Sequence, residues 1–353
     1  SVLCTAREII TLWVSRMVMF NRYFRDGTLP FHDVAIHPMI QDGHGQKMSK
    51  SLGNGVDPRD IIKTHSTDAL RYVMASIATA TQDVRLPLDL ICPHTVKTFT
   101  PQFITSPAGY TVTAPVQDCP DDPSKKMATL YGILTGEAEA TDECPLAVNS
   151  SSKFDMGRNL ATKLWNAARF SLGRISSPAQ PSSLDELCLV DRWMLSRLAS
   201  TLEHVETALA GFQVHLYTEA IYDLVWRDFC DWYLECIKPT VAEDPGQQQV
   251  LLSVLDAILR LVQPVCPFVT ETIWQHVREA GGTGLPSLEL DPGDLLATSA
   301  WPRMDTSSVD REAAALFSRA QELVNEVRRA RAEQGIGPRD RITIHVPQQV
   351  KTL

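Results

Sequence analysis

The stretch that organises this sequence is GHGQKMSKSLGN, which runs from Gly43 to Asn54. It places Lys47 and Lys50 three positions apart, adds hydroxyls at Ser49 and Ser51, and has glycines on both sides. Lysine is a mobile point charge that can follow a phosphate, and glycines let the backbone approach a ligand. Serine hydroxyls and loop N–H groups supply further hydrogen-bond donors. The stretch therefore predicts a flexible loop that stabilises negative charge developing on a polyphosphate.

The flanking residues predict a strand, then this loop, then a helix. The apolar segment 34–40 indicates a buried strand before the loop. Asp57 and Pro58 behind the loop are typical of a helix start, and 57–78 has the period of one or two short helices. Residues 7–23 also repeat apolar side chains at helical spacing, so a helix is expected ahead of the strand.

Length and composition indicate a globular protein of two or three domains. The 353 residues are 44% hydrophobic and 21% charged, which allows a large core. The sequence has no signal peptide, and no apolar run approaches the roughly 18 residues of a membrane span. The eight cysteines form no CxxC pair. We therefore expect a soluble, cytoplasmic protein in a reducing compartment, with no membrane partner.

The net charge of −9 argues against a protein that coats nucleic acid generally. Binding needs only local basic patches, and the sequence has two. The segment Lys153–Arg174 carries five basic residues against Asp155 alone, and Arg328–Arg341 carries five arginines against two acids. A nucleic-acid partner therefore remains open.

The rest of the chain changes character twice. Residues 87–150 are rich in proline, threonine and serine with short β-prone runs, which indicates a loop-rich insertion. From Phe154 to about Ala280 the helical period indicates a bundle of four or five helices, followed by a helix to Gln334 and a strand-like run 341–346. The expected divisions are 1–56, 57–86, 87–150, 151–300 and 301–353.

KMSKS after a strand resembles the second signature of the class I aminoacyl-tRNA synthetases, and further segments resemble the valine-specific members of that family. These segments are REIITLWVSRMVM (7–19), SLGNGVDPRDII (51–62), TDALRYVMAS (67–76), QDVRL (82–86), GRNLATKLWNAARF (157–170), WRDFCDWYLE (226–235), PVCPFVTETIWQ (264–275) and EVRRARAEQGIGP (326–338). The resemblance implies an α/β Rossmann-type C-terminal half followed by an all-α anticodon-binding helix bundle. Only the insertion at 87–150 lies outside it.

The implied activity is ATP-dependent ligation of valine to tRNA(Val) through a valyl-adenylate, with Mg²⁺ accompanying ATP and the enzyme acting as a monomer. By this resemblance Lys47 and Lys50 are catalytic and stabilise the leaving pyrophosphate, while Ser49 and Ser51 support the loop and share in binding ATP. The resemblance also places two more residues at the ATP site.

Glu8 stands where the family has an acid near the ATP ribose, and His37 falls near the adenine pocket. Ala6 replaces a glycine usual in the family, which makes close backbone approach there less certain. Each residue has a structural alternative: Glu8 as an acid favoured at a helix N-terminus, and His37 as a strand-end histidine.

The same resemblance makes the helix 157–170 a tRNA-binding element, because RNA is recognised by stacking, arginine and phosphate contacts. The candidates are Arg158, Asn159, Lys163, Trp165, Asn166 and Arg169. Core packing is the favoured alternative for Trp165, and Asn166 and Arg169 also have structural alternatives. Trp226, Phe229 and Tyr233 of 226–235 are expected in the core, with Asp228 and Asp231 facing polar partners.

Four residues of the insertion, Cys92, His94, Cys119 and Cys144, allow a zinc site as a minor alternative. Their spacing is irregular, so free or buried cysteines are expected and no metal ligand is assigned.

The histidine-rich first signature and the editing domain of the family have no counterpart here. We therefore expect a C-terminal portion of such an enzyme that is inactive alone. The alternatives are a portion of an isoleucine- or leucine-specific synthetase, a non-catalytic tRNA-binding protein, or a nucleotidylyltransferase. The string WVSRM at 13–17 argues against the first, and the helical bundle argues against the last.

Overall fold

The computed structural model describes residues 1–79, 82–181, 183, 186–281, 283–291, 293–305, 309–337 and 340–343. The chain divides into two compact units. Unit 1 comprises Ser1–Leu164, Val205–Ala220 and Pro264–Val269, and unit 2 comprises Trp165–His204, Ile221–Gln263 and Thr270–Leu353. Among the helices described, none has the length and apolar character needed to cross a bilayer.

The first 86 residues contain two pairs of parallel strands. β1 pairs with β2, placing Ala6 opposite His37, and β3 pairs with β4, placing Ile40 opposite Val84. Helices connect the strands of each pair, as parallel pairing requires. The elements are β1 (Val2–Ala6), α1 (Ser15–Phe24), β2 (Asp33–His37), β3 (Ile40–Asp42), α2 (Pro58–Thr64), α3 (Thr67–Ser76) and β4 (Val84–Leu86). Short turns of 3-10 helix at Arg7–Ile9 and π-helix at Ile10–Val14 lead into α1.

The predicted buried strand at 34–40 is wrong in two respects. The segment forms two separate strands, β2 and β3, and the side chains of Val34 and Ile36 are each 37% exposed. In the described residues β2 has only β1 beside it, and the faces of this two-stranded sheet are incompletely covered. Of the one or two short helices predicted after the loop, the structure has two, α2 and α3, with Asp57 capping α2 through the Arg59 N–H.

Asp68 at the start of α3 connects distant parts of unit 1. Its buried carboxylate accepts the backbone N–H groups of Phe268, at 3.1 Å, and Val269, at 2.8 Å. These N–H groups lie at the beginning of a later helix, where they have no partner within that helix. A carboxylate there also interacts favourably with the helix dipole.

Residues 87–150 form short antiparallel pairs around a small core. β5 lies between β11 and β6, while β7 pairs with β8 and β9 with β10. The core consists of Leu90, Cys92, Cys119, Met127 and Ala147, with Phe99 packed against it. The elements are β5 (Asp89–Ile91), β6 (Thr98–Phe99), β7 (Phe103–Thr105), β8 (Thr111–Thr113), β9 (Val116–Cys119), β10 (Asp122–Ala128), α4 (Leu130–Thr135) and β11 (Val148–Ser150).

The remainder is mainly helical, as predicted. Its elements are α5 (Phe154–Leu172), α6 (Leu189–Ala210), α7 (Val214–Asp223), a π-helical stretch (Leu224–Tyr233), α8 (Leu234–Ile237), α9 (Pro245–Val262), α10 (Pro267–Glu279), β12 (Leu288–Glu289), a 3-10 turn (Leu296–Thr298), β13 (Arg303–Met304) and α11 (Arg311–Glu333). The predicted final helix is confirmed as α11. The strand expected at 341–346 reaches into residues 344–346, which lie outside the described residues.

Helix α9 is buried along nearly its whole length, including its polar residues. A helix that is covered on all sides must pair every polar group it carries. The predicted polar partner of Asp228 is likewise confirmed: its buried carboxylate lies 2.9 Å from Arg197 Nε. Phe229 and Tyr233 are in the core as predicted, whereas Trp226 is only half-buried.

Gly157 allows α5 to approach α3 backbone to backbone. A Cβ at this position would lie 2.7 Å from both the Cα and the carbonyl oxygen of Ala69. Replacing Gly157 with alanine should therefore lower the free energy of unfolding, measured by urea titration, by about 1–3 kcal/mol. This is expected although alanine gains about 1 kcal/mol in helix propensity.

The control for this prediction is Gly55→Ala, because a Cβ at Gly55 meets nothing within 4 Å. Equal unfolding free energies for the two variants would contradict the close approach.

Candidate functional site

The loop at Gly43–Asn54 is built around the buried carboxylate of Asp42. Asp42 accepts the backbone N–H groups of His44 and Gln46, each at 2.9 Å, and the side-chain amide of Asn54 at 2.8 Å. Burial alone would raise the pKa of Asp42, but these hydrogen bonds outweigh it and the pKa is lowered. Asn54 also accepts the Ser49 N–H at 2.9 Å. The two ends of the loop are therefore held by one hydrogen-bonded network.

Between these ends, the two lysines are presented to solvent. Lys47 Nζ lies 2.9 Å from Glu8 Oε2 in an ion pair that is largely exposed on both sides, and the Lys50 side chain is also exposed. Ser49 Oγ accepts the Leu52 N–H at 3.3 Å and lies 3.1 Å from Ser51 Oγ, which closes a 3-10 turn over Lys50–Leu52. The serines thus shape the turn that carries Lys50.

Of the two further candidates, the structure brings one to the loop. Glu8 contacts Lys47 directly, although the two are 39 positions apart. His37 ends β2, and its Nδ1 lies 3.0 Å from the Pro38 carbonyl oxygen rather than against a loop side chain. Both side chains are exposed. Their predicted contacts with the ribose and adenine of ATP remain predictions.

The candidates for tRNA binding lie along α5. In unit 1, Arg158 and Asn159 are exposed, Lys163 is half-buried, and Arg158 pairs with Asp155 at 2.5 Å. In unit 2, Trp165, Asn166 and Arg169 are all exposed.

The favoured interpretation of Trp165 as a core residue is wrong, because its side chain is 42% exposed. Leu160 and Leu164 are fully buried and fill the inner face of the helix. Trp165 follows Leu164 by one position, which turns it about 100° around the helix from that face. The indole is therefore available to a partner.

In unit 2, Trp165 and Arg169 help to line a cleft of about 220 Å³. The other lining residues are Ala168 and Leu172 of α5 and Ile273 and His276 of α10. An indole edge, aliphatic walls and a guanidinium suit a flat aromatic group that carries a phosphate nearby. Ile273 and His276 were missed from the sequence, because nothing in the spacing indicates which face of α10 meets α5.

The four candidate zinc ligands of the insertion do not come together. Cys92 Sγ and Cys119 Sγ lie 3.4 Å apart in the small core, but the His94 ring contacts the Lys126 carbonyl oxygen. The described residues contain no group of three or more His, Cys, Asp or Glu side chains arranged to hold a metal ion. The zinc alternative is therefore not supported.

Two family models match the chain. The one described as tRNA synthetases class I (I, L, M and V) matches residues 1–87, and the one described as anticodon-binding domain of tRNA ligase matches residues 191–346. The loop with the two lysines falls in the first match, and most of the helical region falls in the second. Residues 88–190 lie in neither.

The similar curated proteins are valine–tRNA ligases. That of Rhodopirellula baltica is 38% identical over 346 residues, which is 96% of this chain and 32% of the relative. That of Corynebacterium efficiens is 33% identical, and the match covers 97% of this chain and 32% of the relative. That of Thermotoga maritima is 30% identical, and the match covers 98% of this chain and 31% of the relative. The chain spans about a third of the length of the curated relatives it matches.

Two solved structures share the fold. The ternary complex of Agrobacterium radiobacter K84 LeuRS, tRNA and LeuAMS has a TM-score of 0.55 at 17% identity, covering 88% of this chain and 29% of that one. Methionyl-tRNA synthetase of Mycobacterium tuberculosis with methionyl-adenylate has a TM-score of 0.50 at 18% identity. The match covers 84% of this chain and 49% of that one.

Proposed function

We propose that this chain, which is similar over nearly its whole length to valine–tRNA ligases and matches a class I tRNA synthetase model over residues 1–87, serves the ATP-dependent attachment of valine to tRNA(Val). In this proposal residues 1–56 are the C-terminal part of a Rossmann-type catalytic domain, 57–86 are a stem-contact segment, and 151–300 are the helical anticodon-binding domain. The observation that carries the proposal is the exposed pair Lys47 and Lys50 on a loop pinned at both ends.

The first step would join a carboxylate oxygen of valine to the α-phosphorus of ATP and release pyrophosphate. Negative charge grows on the leaving phosphates as that bond breaks. Lys47 and Lys50 are proposed to stabilise this charge, and Ser49 to hold the turn that carries Lys50. In the second step a ribose hydroxyl of tRNA would attack the carbonyl carbon of the valyl-adenylate and release AMP.

Binding of the triphosphate would require Lys47 to exchange Glu8 for phosphate oxygens. An exposed ion pair contributes only about 0.2–1 kcal/mol, so this exchange is not a barrier to binding. Released in this way, Glu8 would be free to accept hydroxyls of the ribose, and His37 would face the adenine.

Mg²⁺ fits this proposal as a companion of the substrate rather than as a resident ion. Mg²⁺ is commonly held by one or two carboxylates together with the substrate phosphates, where it neutralises their charge.

The most direct test is valine-dependent exchange of pyrophosphate into ATP. We expect no exchange by this chain alone, since it lacks the first signature, and exchange when it is mixed with the N-terminal part of a related valine–tRNA ligase. No exchange in the mixture, with the two parts shown to associate and tRNA binding retained, would favour a non-catalytic tRNA-binding protein. Exchange supported by isoleucine or leucine instead would favour the other specificities.

For tRNA, we expect Trp165→Ala to weaken binding about 5- to 150-fold, because stacking a base on an aromatic ring contributes about 1–3 kcal/mol. Arg169→Ala should weaken binding. It should also reduce the slope of log affinity against log salt concentration by about one, the value for one lost phosphate contact. Fluorescence anisotropy with labelled tRNA(Val) at several salt concentrations measures both quantities.

The matched control for Trp165 is Tyr23→Ala, which removes an exposed aromatic side chain of α1. Equal affinity of Trp165→Ala and the unaltered chain would show that the cleft does not receive a base.

A further inference from the structure

The segment 87–150 contacts the lysine loop at both of its ends. Ahead of the lysines, the Gln46 side-chain amide donates to the Thr111 carbonyl oxygen at 2.7 Å and accepts the Thr111 N–H at 2.8 Å. Gln46 thereby pairs with the backbone of β8 much as a neighbouring strand would. Beside it, the His44 ring meets the Phe103 ring edge-on, with centroids 4.6 Å apart.

Behind the lysines, the contact is made by a single buried side chain. Asn149 of β11 is 7% exposed, and its amide nitrogen donates to the carbonyl oxygens of Gly53, at 2.8 Å, and Gly55, at 2.7 Å. The two N–H groups of a side-chain amide can satisfy two carbonyl oxygens at once.

Gly53 fits against the same segment so closely that no side chain could replace its hydrogen. Its φ of +59° lies in the left-handed region, and a Cβ would lie 2.7 Å from the backbone nitrogen of Tyr131 at the start of α4. The exit of the loop is therefore fixed by hydrogen bonds and by shape.

These anchors bracket Lys47–Leu52, which contains both lysines and the serine turn. We infer that residues 87–150 are a clamp that positions the two lysines for pyrophosphate release, with Asn149 as its main positioning residue. Within the described residues, no hydrogen bond or ion pair joins the clamp to the Lys47 side chain, whose partner is Glu8, so the clamp acts by limiting where the loop can carry the lysines. Preorganised charges are effective in catalysis because they need no rearrangement during the reaction. The role presupposes that the loop acts in adenylate formation, as proposed above.

Limited trypsin digestion tests the clamp without any activity. Cleavage after Lys47 and Lys50 requires the loop to open, and its rate follows the population of the open state. We expect Asn149→Ala to speed cleavage at these sites about tenfold, since two hydrogen bonds are lost. Cleavage after Lys125, an exposed residue of β10, should not change. Faster cleavage at all three sites, or at none, would overturn the clamp.

The catalytic consequence is measured by pyrophosphate exchange in the mixture of this chain with the N-terminal part of a related valine–tRNA ligase. Asn149→Ala should lower kcat about tenfold while KM for valine stays the same. Asn149→Asp should be at least as impaired, because it keeps the size of the side chain but points acceptors at two carbonyl oxygens. The control is Gln117→Ala. The Gln117 amide donates to the carbonyl oxygens of Gln102 and Ala114, both inside the clamp, so this variant should retain its kcat at a temperature where it is folded.

A double-mutant comparison separates positioning from general damage. In a Lys50→Ala background, Asn149→Ala should reduce kcat less than it does alone, because one of the two groups that it positions is gone. Full additivity would overturn the positioning role. If Lys50→Ala itself leaves exchange unchanged, the proposed function of the loop fails, while the digestion result still decides whether the clamp exists.

Discussion

Replacing Lys50 with alanine is expected to lower the rate of valine-dependent pyrophosphate exchange about 100- to 1000-fold, measured in the mixture of this chain with the N-terminal part of a related valine–tRNA ligase. Lys47→Ala should have a similar effect. This is the range found when one donor that stabilises a developing negative charge is removed. The effect should fall on kcat, since the charge appears only as the bond to the leaving group breaks. Valine binding should be unchanged, because neither lysine is assigned to it.

Two variants make this expectation specific to the position and chemistry of the lysines. Lys63→Ala removes an exposed lysine from α2, just beyond the loop, and should leave the exchange rate unchanged. Lys50→Arg keeps the charge but replaces a compact ammonium with a planar guanidinium, so it should restore only part of the activity. A loss of less than tenfold for Lys50→Ala would remove the loop from the chemical step.

The ion pair between Lys47 and Glu8 bears on the predicted role of Glu8. If Glu8 binds the ATP ribose, Glu8→Gln weakens that contact and raises KM for ATP. If Glu8 serves only to hold Lys47, the same change frees the lysine and leaves KM unchanged or lower, by a factor consistent with about 0.2–1 kcal/mol. The direction of the change in KM therefore decides between the two roles.

The sequence predicted those parts of the molecule that depend on local patterns. Asp57-Pro58 marked the start of α2, and the apolar spacing identified α3, α9 and α11, because capping and helical period are properties of neighbouring residues. The loop was located by its composition alone. The placement of Trp165 was wrong because a residue at the margin of an apolar stripe fits the pattern whether it lies inside or outside.

Contacts between distant segments had no signal in the sequence. Gln46 and Thr111 are 65 positions apart, and Asn149 and Gly53 are 96 apart, so their pairing depends on how the insertion folds. The exposure of Val34 and Ile36 has the same origin, since burial of a strand depends on what packs over it. By contrast, the ion pair between Asp256 and Arg260 could be predicted from the sequence, because side chains four positions apart on a helix are neighbours.

Asp256 and Arg260 form the most buried ion pair among the described residues, and breaking it is expected to have the largest effect on stability. Their side chains are 1% and 2% exposed, and Arg260 Nε lies 2.6 Å from Asp256 Oδ1. The Trp274 ring N–H also donates to Asp256 Oδ1, at 3.3 Å, and Arg260 Nη1 donates to the Ala300 carbonyl oxygen at 2.8 Å. One carboxylate thus satisfies both an arginine and a tryptophan inside unit 2.

Asp256→Ala should therefore lower the free energy of unfolding by about 3–5 kcal/mol, because it leaves the Arg260 charge buried without a counter-ion. The matched control is Glu333→Ala, which breaks another pair four positions apart, with Arg329, that is about 70% exposed. That change should cost no more than about 0.5 kcal/mol. Urea denaturation of each variant provides the measurement.

A double variant shows whether the cost comes from the lost attraction or from the charge left behind. Asp256→Leu combined with Arg260→Met removes both charges, and it should recover most of the stability that Asp256→Ala loses, since apolar replacements of buried pairs are often neutral. If the double variant is as unstable as Asp256→Ala, the hydrogen bonds to Trp274 and Ala300 matter more than the buried charge. Trp274 lies on α10 next to Ile273, which lines the cleft. Measuring tRNA binding by the double variant therefore shows whether the ion pair affects the cleft directly or only through stability. Binding restored along with stability would mean that the pair acts on the cleft only by keeping α9 and α10 folded.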